Sequence, residues 1–268
     1  MRRYNLAYYF LTMLLIMGGF AAMAQNSYGL IILGLVAVSF GLIFLYQLFQ
    51  QASQRVPHKA DRMIEWTCLF LCAVIFACKL FYIEFPFLDS LFQLSEIVLI
   101  VIYTGRLISQ YRLFRTSQSL LAIRLLIFYG SVILFIAGLI TVSFNALIGI
   151  TAGAVGLILF IAFLLLGLIK KQFSVKGEDL SATTVIARRS TASLLLASLL
   201  SIFTLYWGLT HTGILPQLYS DKYPQAYFEM IDQAATGKEK PVDGTYRYQV
   251  FKKNYDEFVK RMGDQNAK

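Results

Sequence analysis

Charge is scarce in this chain. Only 15% of its 268 residues are Asp, Glu, Lys or Arg, and 57% are hydrophobic, whereas soluble domains carry about 25% charged residues. A soluble fold of this length buries a large core, but it cannot hide repeated apolar runs of about 20 residues. Runs of that length match a hydrocarbon slab about 30 Å thick at about 1.5 Å per residue. The shortage of charge therefore excludes an ordinary soluble domain and leaves a chain that turns its apolar excess toward lipid.

Histidine is nearly absent: His58 and His211 are the two in the chain, and the topology below places them on opposite sides of the membrane, so they cannot share a metal. The three cysteines, Cys68, Cys72 and Cys78, fall inside one apolar run. They supply small apolar filler and no disulfide framework. The sequence contains no H-E-x-x-H, Walker A, G-x-S-x-G or Cys-x-x-Cys pattern, so it offers no catalytic constellation, metal site or cofactor site, and none is expected. The five prolines, Pro57, Pro86, Pro216, Pro224 and Pro241, all lie outside the apolar runs. Transporters that bind ions at broken helices usually show Gly- or Pro-interrupted segments repeated in two halves, and neither sign occurs here.

What is present is a series of seven apolar runs: Leu6 to Ala24, Tyr28 to Phe49, Ile64 to Tyr82, Leu88 to Ile108, Leu120 to Phe144, Ile148 to Ile169 and Ser193 to His211. The fourth is interrupted by Gln93, Ser95, Glu96 and Arg106, so its insertion depends on partner helices. The fold class is all-α: a polytopic transmembrane bundle of six or seven spans.

The formal net charge is +9, but the basic residues do not gather on a polar domain, which argues against nucleic acid. They sit mostly between the apolar runs, in every second connector. Arg2 and Arg3 precede the first run; Arg55, Lys59 and Arg62 join the second to the third; Arg112 and Arg115, flanked by Arg106, join the fourth to the fifth; and Lys170, Lys171, Lys176, Arg188 and Arg189 join the sixth to the seventh. The alternate connectors, 25–27, 83–87 and 145–147, contain no Lys or Arg. The positive-inside rule then puts the basic connectors in the cytoplasm and the C-terminal tail outside. Trp66 near one end of its span, and Tyr206 and Trp207 near the other end of theirs, fit two aromatic belts.

The domain boundaries follow. Residues 1–24 are either a signal peptide or the first transmembrane helix: Arg2 and Arg3 form a basic start, Leu6 to Phe20 an apolar stretch, and Ala22-Met23-Ala24 a small-x-small cleavage pattern. Residues 25–211 form the bundle, and residues 212–268 form a short extracytoplasmic tail. In the tail, Pro224 opens and Gly237 stops one helical segment. Phe251, Tyr255, Phe258 and Met262 then recur at helical spacing on a second. Such a two-helix tail cannot bury its stripe alone, so that stripe is a docking face for the bundle, lipid headgroups or a partner.

Within the runs, Lys79 and Glu96 stand on either side of one short connector, nearly level in an antiparallel hairpin, and are expected to form an intramembrane ion pair. Arg106, Arg112, Arg115 and Arg124 read as a basic collar at lipid headgroups. Gly149 and Gly153 form a G-x-x-x-G, and Ser193, Ala197 and Ser201 repeat at intervals of four; both patterns allow close helix packing, within the chain or in a homo-oligomer.

These features point to an integral protein of a bacterial plasma membrane. The leading function is a non-enzymatic subunit or scaffold of a membrane complex whose tail binds an extracytoplasmic partner. A small-solute or ion transporter using the Glu96 and Lys79 pair is the first alternative, and an intramembrane enzyme the second.

Overall fold

The computed structural model of the chain describes residues 2–23, 27–53, 59–81, 83, 86–142, 144–169, 171–175, 178–211 and 214. They form α1 (Arg2–Met23), α2 (Ser27–Ser53), α3 (Lys59–Leu80), α4 (Leu88–Phe114), α5 (Ser119–Val142), α6 (Ala146–Ile169), a hairpin of β1 (Phe173–Val175) and β2 (Glu178–Leu180), α7 (Ala182–Arg189) and α8 (Thr191–His211). The tail, with its stripe of Phe251, Tyr255, Phe258 and Met262, lies outside the described residues.

The architecture is an all-α bundle, and six of its helices, α2 to α6 and α8, are long and apolar enough to cross a membrane. The chain is an integral membrane protein by that measure. The first apolar run appears as a shorter apolar stretch, Leu6–Ala22, within α1. Consecutive helices from α1 to α6 pack as neighbours, and α8 returns to lie against α5 and α6. The starts of α3, α5 and α8 and the ends of α2, α4 and α6 thus share one end of the bundle, called the basic end below.

Helix α5 sits at the centre, in contact with α4, α6, α7 and α8. Leu121, Leu125, Phe128, Val132, Phe135 and Ile136 are all buried along its length. Phe128 and Phe135 meet Phe163 and Phe160 of α6 at ring-centroid distances of 5.0 and 6.3 Å. Outward-facing Leu, Ile and Phe side chains cover the rest of the bundle; Leu42, Val101, Ile158 and Leu168 are each more than half exposed, as residues that meet acyl chains should be.

Local chemistry sets the helix ends. Asn145 accepts from the Ile148 backbone N–H at 3.3 Å and opens α6; Ser181 accepts from the Thr184 N–H at 3.1 Å and opens α7. Between α5 and α6 the backbones approach closely: a Cβ on Gly149 would lie 2.7 Å from the Val142 backbone nitrogen, so only glycine fits. Gly153 faces Gly138 of α5 and Thr204 of α8. On α8, Ser193 and Ala197 are fully buried, while Ser201 is half-buried and returns its hydroxyl to the Ser198 carbonyl at 2.8 Å.

The segment between α6 and α8, expected only as a basic connector, has structure of its own. Residues Phe173–Val175 pair antiparallel with Glu178–Leu180, and the short α7 follows. Phe173, Ala182, Val185 and Ile186 are buried, so this element caps the basic end. Gln118 of the α4–α5 turn donates to the Ser174 carbonyl and ties the hairpin down.

Candidate functional site: a buried charge cluster at the basic end

The buried residues of α4 are Ser95, Glu96, Leu99, Tyr103, Arg106, Gln110 and Phe114. Their spacing traces one helical face, and most of that face is polar. The exposed side of the same helix carries Leu94, Ile97, Val101, Ile108 and Leu113. α4 is therefore amphipathic with its polar face turned inward, and each buried polar group needs a partner from a neighbouring helix.

At the basic end that partner is Glu65, which is fully buried on α3. Arg106 donates to it through both terminal nitrogens, at 2.6 Å to Oε1 and 2.9 Å to Oε2. The Tyr103 hydroxyl donates to Oε1 at 2.7 Å, and the Ser190 hydroxyl to Oε2 at 2.5 Å. A carboxylate offers about four acceptor positions, and these four donors fill them. The bidentate guanidinium fork is the strongest form such a pair takes. Arg106 also lies over the Tyr103 ring at 5.4 Å, and Tyr103 packs on Tyr129 of α5 at 6.3 Å.

Ser190 occupies the extended junction between α7 and α8, with φ −162° and ψ 126°. One carboxylate thus joins α3, α4 and the α7–α8 junction. Around it stands a more exposed layer. Arg62 donates to the Arg188 carbonyl at 2.7 Å, and Arg189 meets Asp61 at 3.3 Å. Both contacts again bridge α3 to α7.

The residues picked out from sequence fall differently. Lys79 does not sit on Glu96; its ammonium meets Asp89 at 2.6 Å and lies over the Phe92 ring at 5.6 Å. The reason is level. α3 ends at Leu80 and α4 begins at Leu88, so Lys79 and Asp89 stand at the mouth of the hairpin while Glu96 lies about 10 Å deeper. Glu96 is 3% exposed, and its Oε1 has no hydrogen-bond partner among the described residues.

The basic collar divides. Arg112 and Arg115 are exposed. Arg106, 1% exposed, is consumed by Glu65, so it cannot reach headgroups. Arg124 is 4% exposed and lies between the Phe163 and Phe173 rings at 5.2 and 5.7 Å; the hairpin covers it. Trp66 is likewise core rather than belt, 3% exposed with its ring 5.6 Å from Phe44 of α2.

Glu65, Tyr103 and Ser190 were not singled out from sequence, although a signal existed. Arg106 within an apolar run demands an acid at its own depth. Glu65 lies six residues into α3, and Arg106 eight residues before the end of α4, which makes them nearly level at about 9 and 12 Å from the helix ends.

Compared with protein-family models, curated proteins and solved structures, the sequence matches none of them, so the functional reading rests on these residues alone.

Proposed function

We propose that the protein is a non-enzymatic subunit or scaffold of a membrane complex, held with its basic end in the cytoplasm and its C-terminal tail, residues 212–268, outside to engage a partner. The observation that carries this reading is the closed state of the Glu65 cluster: Tyr103, Arg106 and Ser190 fill the carboxylate's acceptor positions. A group so occupied holds helices together; a proton carrier or nucleophile needs a free face. Two further points support it. The spans run without proline, and the cavity lined by Val38, Leu42, Phe70, Val74, Cys78 and Phe81, between α2 and α3, is apolar. The tail's aromatic stripe supplies the docking element, and the segregation of Lys and Arg supports the orientation.

The test is purification of the full chain from membranes, beside a variant carrying Phe251→Ser and Phe258→Ser. The reading requires a chain that co-purifies stoichiometrically with the parent and is lost from the variant, with insertion unchanged. Identical partners, or none with either protein, would contradict it.

One observation favours a transporter as the second reading: Glu96 is buried in the span with one carboxyl oxygen lacking a partner. Proton flux into liposomes that is present with the parent and abolished by Glu96→Gln would establish that reading over the first.

A further inference from the structure

We propose that the outer layer of the charge cluster is a phosphate-binding site, formed by Arg62 of α3 and Arg189 of α7 above Arg106, and that it takes a phosphate-bearing anion at the level of the membrane surface. The first ground is charge. Arg62, Arg106 and Arg189 gather at this end with Asp61 and Glu65, and Glu65 is already committed to Arg106. Arg62 lies within electrostatic range of both Arg106 and Arg189. Glu65 offsets Arg106 and Asp61 meets Arg189, so Arg62 adds a third positive charge to two carboxylates, and an anion beside it would be held by that excess.

The second ground is hydrogen bonding. Arg62 spends one terminal nitrogen on the Arg188 carbonyl at 2.7 Å, and Arg189 one on Asp61 at 3.3 Å. The Nε atoms of Arg62, Arg106 and Arg189 are all buried without a hydrogen-bond partner among the described residues. Arg106 itself is 1% exposed, and the Arg189 side chain 17%. Buried donors without acceptors are costly to keep, and a guanidinium fork matches the tetrahedral oxygens of phosphate better than any single carbonyl. The third ground is position. Arg62 is three residues from the start of α3, and Arg189 ends α7 immediately before α8, where a span emerges into the headgroup layer. The phosphate can belong to an anionic phospholipid or to a soluble phosphate, which share this chemistry.

The experiment uses the full chain purified in neutral detergent, titrated with short-chain phosphatidylglycerol, short-chain phosphatidylcholine and inorganic phosphate. Binding is read by native mass spectrometry for the lipids and by the shift in thermal unfolding for all three probes. The proposal expects saturable binding of phosphatidylglycerol or phosphate well above that of phosphatidylcholine. Arg62→Gln with Arg189→Gln should weaken it about tenfold or more, as the loss of charge-assisted hydrogen bonds implies. Lys79→Gln, half-exposed at the opposite end of the bundle, should leave it unchanged. Millimolar phosphate that displaces the lipid, or that stabilises the protein alone, assigns the site to a soluble anion; lipid binding indifferent to phosphate assigns it to a headgroup. Should the paired Gln variant fail to fold, Arg189→Lys keeps the charge but removes the fork, and it should still weaken binding. Equal binding of all probes by the parent, no binding of either anion, or an Arg189→Lys protein that binds as the parent does would overturn the proposal.

Discussion

Replacing Glu65 with Gln removes the charge that Arg106 faces while leaving a side chain of the same shape. Arg106 is 1% exposed and makes both of its terminal bonds to this carboxylate, so it becomes a buried cation without a counter-charge. Breaking a buried pair from one side is worth about 3–5 kcal/mol. The amide also turns an –NH2 toward donors from Ser190 or Arg106, which it cannot accept. Against a total stability of about 5–15 kcal/mol, the loss is large: about 10²- to 5 × 10³-fold in the ratio of folded to unfolded protein. Replacing both partners, Glu65→Leu with Arg106→Leu, removes both charges and should recover part of that loss, because apolar side chains often substitute for a buried pair at little net change, while the Tyr103 and Ser190 hydroxyls lose their acceptor. Asp89→Asn supplies the comparison, since the Lys79–Asp89 pair is 50% and 77% exposed, and surface pairs contribute about 1 kcal/mol or less. The assay is thermal or denaturant unfolding of monodisperse protein in detergent for the parent, Glu65→Gln, Asp89→Asn, Glu65→Leu, Arg106→Leu and the double Leu variant. If Glu65→Gln costs no more than Asp89→Asn, or if the two Leu substitutions add without coupling, the Glu65 cluster does not hold the basic end together.

Glu96→Gln should cost far less than Glu65→Gln although both carboxylates are buried, because Oε1 of Glu96 has no partner among the described residues to lose; the expected change in unfolding free energy is under about 1 kcal/mol. Because Lys79 rests on Asp89, Lys79→Met and Glu96→Gln should add within about 0.5 kcal/mol, and a stronger coupling in that double-mutant cycle would restore the pair expected from sequence. Gly149→Ala should destabilise by about 1–3 kcal/mol through overpacking, since its Cβ would meet the Val142 backbone at 2.7 Å, whereas Gly105→Ala, with nothing within 4 Å, should not; equal melting temperatures would contradict the close approach of α5 and α6.

The bundle itself was legible because lipid imposes a simple rule, and runs such as Tyr28 to Phe49 or Ile148 to Ile169 satisfy it without reference to any neighbour. The cluster was not, and the cause is where helices end. Hydropathy closes the third run at Ile64 and the fourth at Ile108, which leaves Glu65 and Arg106 at the apparent edges, where a charge needs no partner. The helices continue to Lys59 and to Phe114, which puts both residues about two turns inside. The same error of level brought Glu96 opposite Lys79. The cap was missed for another reason: Ser181 before Ala182, Val185 and Ile186 is a helix-opening signal with an apolar face, but its basic flanks made the whole segment read as a connector. Nothing in the sequence marks Arg124 as covered, because Phe173 reaches it only through the β1–β2 hairpin.

The central claim, that this is a membrane bundle presenting its C-terminal tail on the side opposite its basic connectors, is tested most directly by paired topology reporters in a bacterial host. An enzyme active only outside the cytoplasm should work when fused after Lys268 and fail when inserted beside Gly177, and a reporter fluorescent only in the cytoplasm should give the reverse. Extracytoplasmic activity at Gly177, or cytoplasmic fluorescence after Lys268, would contradict the orientation and with it the assignment of the tail to an outside partner.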